Sequence, residues 1–164
     1  MPINLTNFVG PNEVTSWYDQ LIEQINATQT PPIGYAVFGN TGSIVLPASQ
    51  ICTGRNISYV NMLGTLAANA TLTTDTAANI ITFLQGLFGP NVTTVGTTWS
   101  MRISNASAGA FSWTLAGGTG VTVNSMGGDA GSLAIAQNTW RDFLVSVQSA
   151  TTVLMISMGT GIVS

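Results

Sequence analysis

The sequence predicts a mainly β chain, an antiparallel β-sandwich of jelly-roll type with an N-terminal arm and two short helices. Three observations predict it. Short apolar/polar alternations fill the chain from Thr97 onward, Gly-rich turns separate them roughly every 8 to 12 residues, and only two segments carry a helical period. A parallel α/β fold would need helices between successive strands, and no helical period follows residue 90.

Residues 1–12 read as an arm. Ile3, Leu5, Phe8 and Val9 are apolar but follow no regular period, so the segment cannot build a core alone and is too apolar for a solvated tail. Docking on a neighbouring subunit would satisfy it. The rest, 13–164, reads as one domain, the usual outcome for a chain of this length. In 13–26, Val14, Trp17, Tyr18, Leu21, Ile22 and Ile25 form a single helical stripe, with Asp19 and Glu23 one turn apart on the solvated face.

Tyr35 to Phe38 and Ser43 to Leu46 flank Gly39-Asn40-Thr41-Gly42, a hairpin signal. Ile57 to Leu63 is a further strand with Ile57, Tyr59 and Asn61 on one face. The second helix is expected over 75–88, capped by the Thr73-Thr74-Asp75 cluster and stopped by Gly89-Pro90. Its stripe is Ala77, Ile80, Ile81, Leu84, Leu87 and Phe88. Phe83 widens the stripe, which predicts burial on more than one side, either as a plug against a sheet or at a subunit interface.

Beyond it, Trp99, Met101 and Ile103 alternate with Ser100, Arg102 and Ser104; Phe111, Trp113 and Leu115 alternate with Ser112 and Thr114. Val121 and Val123, then Leu133 and Ile135, make two shorter strands. Trp140 to Gln148 places Phe143, Val145 and Val147 on one face, with Trp140 opposite. Thr152 to Met158 is apolar on both faces, which suits a central strand or a shared interface.

Composition narrows the function. The 164 residues hold no His and no Lys, one Cys, three Arg and six carboxylates, with net charge −3, 45% hydrophobic residues and a mean hydropathy of +0.38. General acid/base work draws first on His, and a thiol nucleophile at Cys52 would need a neighbouring base; Cys52 is expected to be a small buried hydrophobe. No enzyme, cofactor or metal ligand is expected. Three dispersed Arg argue against nucleic acid. No run of about 20 apolar residues spans a membrane, and Met1 to Gly10 lacks the charged and apolar regions of a signal peptide, so synthesis in a host cytoplasm without export is expected. Gly117-Gly118-Thr119-Gly120 lacks the Lys and helix of a phosphate loop and reads as a turn.

The segments ATLTTDTAANIITFL, GTTWSMRISNASAGAFSWTLAGGTGVTV and IAQNTWRDFLVSVQSATTVLMISMGTG, covering residues 70 to 161, resemble a pattern of tailed-phage virion surface proteins, of the capsid cement or fibre-head type. The resemblance implies a homotrimer on a particle surface. The short chain with an apolar arm then points to a capsid decoration (cement) protein that stabilises the assembled bacteriophage head by binding the major capsid protein. The arm residues Ile3, Leu5, Phe8 and Val9 would then be the coat or sister-subunit contacts, with Phe83, Leu87 and Phe88 at a trimer or coat interface. The alternative is a receptor-binding or tail-associated carbohydrate-binding module, with Trp140 and Asp129 touching sugar. A glycosidase would need a carboxylate pair drawn from Asp75, Asp129 and Asp142.

Overall fold

In a computed structural model the described residues are 33–53, 56–88, 94–125 and 133–163. The arm with Ile3, Leu5, Phe8 and Val9, the helix expected over 13–26, and Asp129 lie outside them. The chain is mainly β, as the alternations predict.

Among the described residues ten strands form two sheets. The larger has the order β1 (Ile33–Gly39), β3 (Ile57–Leu63), β5 (Thr98–Asn105), β9 (Thr139–Val147), β10 (Val153–Ile162) and β7 (Val121–Ser125). The smaller has the order β2 (Ile44–Leu46), β4 (Ala70–Thr74), β6 (Trp113–Ala116) and β8 (Ala134–Ile135). Two helices interrupt the strands, α1 (Ala48–Ile51) and α2 (Ala77–Phe88).

The strands are not all antiparallel, and this corrects the expectation. β1 runs parallel to β3, β3 to β5, β2 to β4, β4 to β6, and β10 to β7. Only β5 with β9, β9 with β10, and β6 with β8 are antiparallel. The physical reason lies in the winding. From β1 to β6 the chain alternates between sheets, so each strand of the small sheet serves as the crossover that returns the chain to the large sheet in the same direction. Parallel neighbours need a long crossover, usually a helix; here β2 lies in the crossover from β1 to β3 and β4 in that from β3 to β5. Three windings stack in register, Ile33 beside Ile57 beside Ser100 in one sheet and Ile44 beside Leu72 beside Leu115 in the other.

The same winding overturns the hairpin expected at Gly39-Asn40-Thr41-Gly42. β1 and β2 are consecutive but belong to different sheets. The chain turns tightly there as the residues require, then crosses over instead of folding back beside itself. Gly64, at φ +96, fits against this turn: a Cβ on it would stand 2.6 Å from the Asn40 carbonyl oxygen.

The buried faces of both sheets contribute to one hydrophobic cluster. Val60, Met62, Trp99, Met101, Ile103, Phe143, Val145 and Met155 come from the large sheet, and Leu46, Leu72, Trp113, Leu115 and Ile135 from the small one. Trp99 and Trp113 are core residues, as their polar neighbours predict; the Trp99 indole N–H donates to the Ile51 carbonyl at 2.9 Å. Cys52 is buried as expected, and burial pushes its thiol up to about 12.

Helix α2 begins two residues later than the expected Asp75, and its cap is Thr76, whose Oγ1 accepts from the Asn79 amide at 3.2 Å. Asp75 instead ties the two helices together. Its Oδ1 accepts from the Thr76 amide at 2.8 Å and the Asn79 side chain at 2.7 Å, and its Oδ2 from the Ala48 amide of α1 at 3.1 Å. Burial pushes its pKa up, but the hydrogen bonds from Asn79, Thr76 and Ala48 outweigh that and hold it below the ordinary Asp value.

Ala77, Ile80, Ile81 and Leu84 form the buried stripe of α2. Phe83 is partly buried against the chain's own core and Leu87 is half-buried. The Phe88 side chain is outside the described residues.

The Gly117-Gly118-Thr119-Gly120 turn carries β6 of one sheet into β7 of the other. The Gly118 amide donates to Thr74 Oγ1 at 2.9 Å, and a Cβ there would lie 2.4 Å from the Thr74 carbonyl oxygen. The Thr119 carbonyl accepts from the Ala77 amide at 2.9 Å, so the turn packs on the start of α2. Close backbone approach explains the glycine.

Candidate functional site

Strand alternation sends every second residue of the large sheet to its outer face. In register across β1, β3, β5 and β9 that face carries Tyr35, Tyr59, Arg102 and Asp142 in one row. The next row holds Val37, Asn61, Ser104 and Trp140, followed by Gly161 of β10. A third row, on the other side, holds Ile33, Ile57, Ser100 and Leu144.

Planar groups stand side by side across these rows. The Tyr35 and Tyr59 rings stack with centroids 5.1 Å apart and an interplanar angle of 14°. Arg102 gives Asp142 two hydrogen bonds, Nε to Oδ1 and Nη2 to Oδ2, both at 2.7 Å. Its guanidinium carbon lies 3.9 Å from the Trp140 ring centroid. The hydrogen bonds to Asp142 raise the Arg102 pKa, burial opposes them, and the charges of Asp142 and Tyr59 add to the rise.

Behind this row a polar chain crosses three strands. The Asn61 side-chain amide donates to the Tyr35 hydroxyl at 3.0 Å, and Ser104 Oγ donates to Asn61 Oδ1 at 3.1 Å.

Trp140 is thus on the outer face, as its position opposite Phe143 predicts, but it is not an open stacking platform. The guanidinium flanks it on the β5 side and Gly161 on the β10 side, where a Cβ would come within 2.5 Å of the indole. Asp129, its expected companion, lies outside the described residues. The carboxylates weighed for glycoside cleavage are engaged separately, Asp142 with Arg102 and Asp75 at the start of α2.

A depression of about 390 Å³ opens beside the ion pair, lined by Ile57, Tyr59, Ser100, Arg102, Asp142, Phe143 and Met158. Two local features create it. Ser100 puts a small side chain in the middle of the Ile57–Ser100–Leu144 row. The β9–β10 register shifts between Ser157 and Gly159, so Met158 bulges outward as a wall and is 53% exposed.

No family model, curated protein or solved structure matches the chain. The site's description therefore rests on its own geometry. Among the described residues no group of three or more His, Cys, Asp or Glu could hold a metal, and no helix is long and apolar enough to cross a membrane.

Tyr35, Tyr59 and Arg102 are the residues that sequence reasoning missed, and Asp142, weighed there as a glycosidase carboxylate, is instead the partner of Arg102. The two strand faces read from the sequence, Ile57/Tyr59/Asn61 and Ser100/Arg102/Ser104, are both correct. What was missing was the parallel β3–β5 pairing, which puts the two faces side by side.

Proposed function

We propose that the chain is a structural, non-catalytic assembly protein, a capsid decoration subunit that trimerises and binds the major capsid protein on a bacteriophage head, by strand addition at β1. One observation supports this most directly. β1 is an end strand of the large sheet with no described neighbour on its other side, and Ile33, Tyr35 and Val37 on its outer face are 61%, 60% and 51% exposed.

Ile33–Gly39 contains no charge, proline or register shift. Those are the devices by which soluble proteins blunt free edges. A strand from a sister chain or coat subunit would pair its backbone with β1 and cover the three side chains. In a cyclic trimer that contact is heterologous, so β1 of one chain meets a different surface of the next. In this reading Ile3, Leu5, Phe8 and Val9 of the arm, with Phe83, Leu87 and Phe88, supply further coat contacts.

The sheets themselves we read as a two-layer sandwich, supported by their shared core. A jelly roll is built from antiparallel neighbours, and the parallel pairings from β1 to β6 do not offer them.

Light scattering after size exclusion, at several concentrations, tests the proposal on the whole chain and on V37K. A concentration-independent trimer that V37K dissociates to monomers supports it, and co-sedimentation of the wild type with assembled heads follows. A monomeric wild type overturns the trimer; the chain's own first 32 residues would then be the leading candidate for covering β1.

A further inference from the structure

We propose that the depression between Tyr59 and Met158 is a binding site for an uncharged polyhydroxyl ligand, a pyranose ring of a sugar. The site combines the two surfaces such a ring requires. Its apolar sides are Ile57, the Tyr59 ring and Met158, against which the C–H face of a ring can pack. Its polar end is the Arg102–Asp142 pair with the Ser100 hydroxyl beside it.

The pair's geometry selects the ligand's charge. Arg102 commits Nε and Nη2 to Asp142, and its Nη1 has no partner among the described residues. Asp142 accepts only one of these bonds on each oxygen and keeps further lone pairs. Two neighbouring hydroxyls match this set, one accepting from Nη1 and the other donating to the carboxylate. An anion at Nη1 would also lie beside the Asp142 carboxylate, and a cation at the carboxylate beside the Arg102 guanidinium, so each would meet a like charge close to the opposite one. A neutral polyol leaves the pair intact.

The pair is also held in place. Trp140 stacks on the guanidinium, and Gly161 leaves room for the indole. Trp140 therefore acts as a positioning residue behind the guanidinium, not as the sugar platform. The volume, about 390 Å³, lies in the range of small-molecule sites. The site does not rest on the assembly reading, because Val37 and the free side of β1 are not part of its lining.

Saturation-transfer NMR on the full chain tests it, with methyl α-glucoside, methyl β-galactoside and methyl α-mannoside as neutral probes and glucose 6-phosphate as the charged one. At least one neutral glycoside is expected to bind, and the phosphate about tenfold more weakly, which corresponds to about 1.4 kcal/mol. S100L fills the depression from an exposed position and leaves the ion pair in place. It is expected to abolish transfer without changing the melting temperature, whereas V37K is expected to retain it. D142N keeps the shape but replaces an acceptor oxygen by a donor, and is expected to weaken binding about tenfold. Absence of transfer from all three glycosides, equal binding of the phosphate, or undiminished binding by S100L overturns the proposal. If glucoside binds, maltotriose separates two sources of the ring: tighter binding identifies a polysaccharide chain and equal binding a single sugar, and both support the site.

Discussion

The Arg102–Asp142 pair illustrates how a side chain's use is decided by its surroundings. With side-chain exposures of 38% and 32%, the pair is open to water and contributes little to stability. Arg141, its sequence neighbour, points the other way into the core, where it donates to Ser157 Oγ at 2.8 Å and is only 6% exposed. The parity of β9 carries that distinction, since Arg141 shares its face with Phe143. Asn105 is a buried polar residue with complete bonding: its Nδ2 donates to the carbonyls of Phe111 at 3.1 Å and Ile135 at 2.9 Å, and its Oδ1 accepts from the Ser107 amide and hydroxyl. Asn105→Ala leaves those groups unpaired and is expected to cost about 1–3 kcal/mol by urea denaturation. Cys52, with its thiol pushed up to about 12, is expected to resist iodoacetamide in the native protein near neutral pH and to react once the chain is unfolded in urea. Asp75 holds a pKa below its ordinary value, so its contribution is present above the unfolded-state pKa and lost as pH falls through the folded one. Asp75→Ala is expected to lower stability by about 1 kcal/mol near neutral pH, with the gap to wild type closing as the solution is acidified through and below the carboxylate range.

At the scale of elements, the buried faces of β5, β6 and β9 were legible because side-chain alternation has a period of two whatever the strand pairs with. Trp99/Met101/Ile103, Trp113/Leu115 and Phe143/Val145/Val147 are all inside, as their spacing predicts. Partner and direction were not legible, because a Gly-containing turn records that the chain bends and not whether it bends within a sheet or across the core. The two turns at 39–42 and 117–120 have similar composition, and both turn out to change sheets. The turn at Gly118 makes a sharp prediction. Gly118→Ala drives a methyl into the Thr74 and Asp75 carbonyls at the start of α2, and is expected to lower the thermal midpoint, whereas Gly86→Ala, with nothing within 4 Å on an exposed helix position, is expected to raise it slightly.

For the whole molecule, the site became visible only when the winding was known. Tyr59 and Arg102 are 43 positions apart in the chain and adjacent in the sheet because β4 and α2 carry the chain out and back between them. No local pattern encodes that adjacency. β1 has no neighbour on one side among the described residues, and A36P tests whether that edge is used. Proline has no backbone N–H. If Ala36 directs its N–H toward an added strand, A36P is expected to give the same dissociation as V37K in light scattering.

The order in which the strands are made has its own consequence. β7 is synthesised before β9 and β10, yet its only described strand neighbour is β10, the last of the described strands. While a ribosome still holds residues 153–162, β7 has no partner among the described strands and β9 lacks its second one, so the large sheet cannot close until β10 has emerged. A nascent chain stalled before Val153 should therefore be cut readily by protease where the full chain is not.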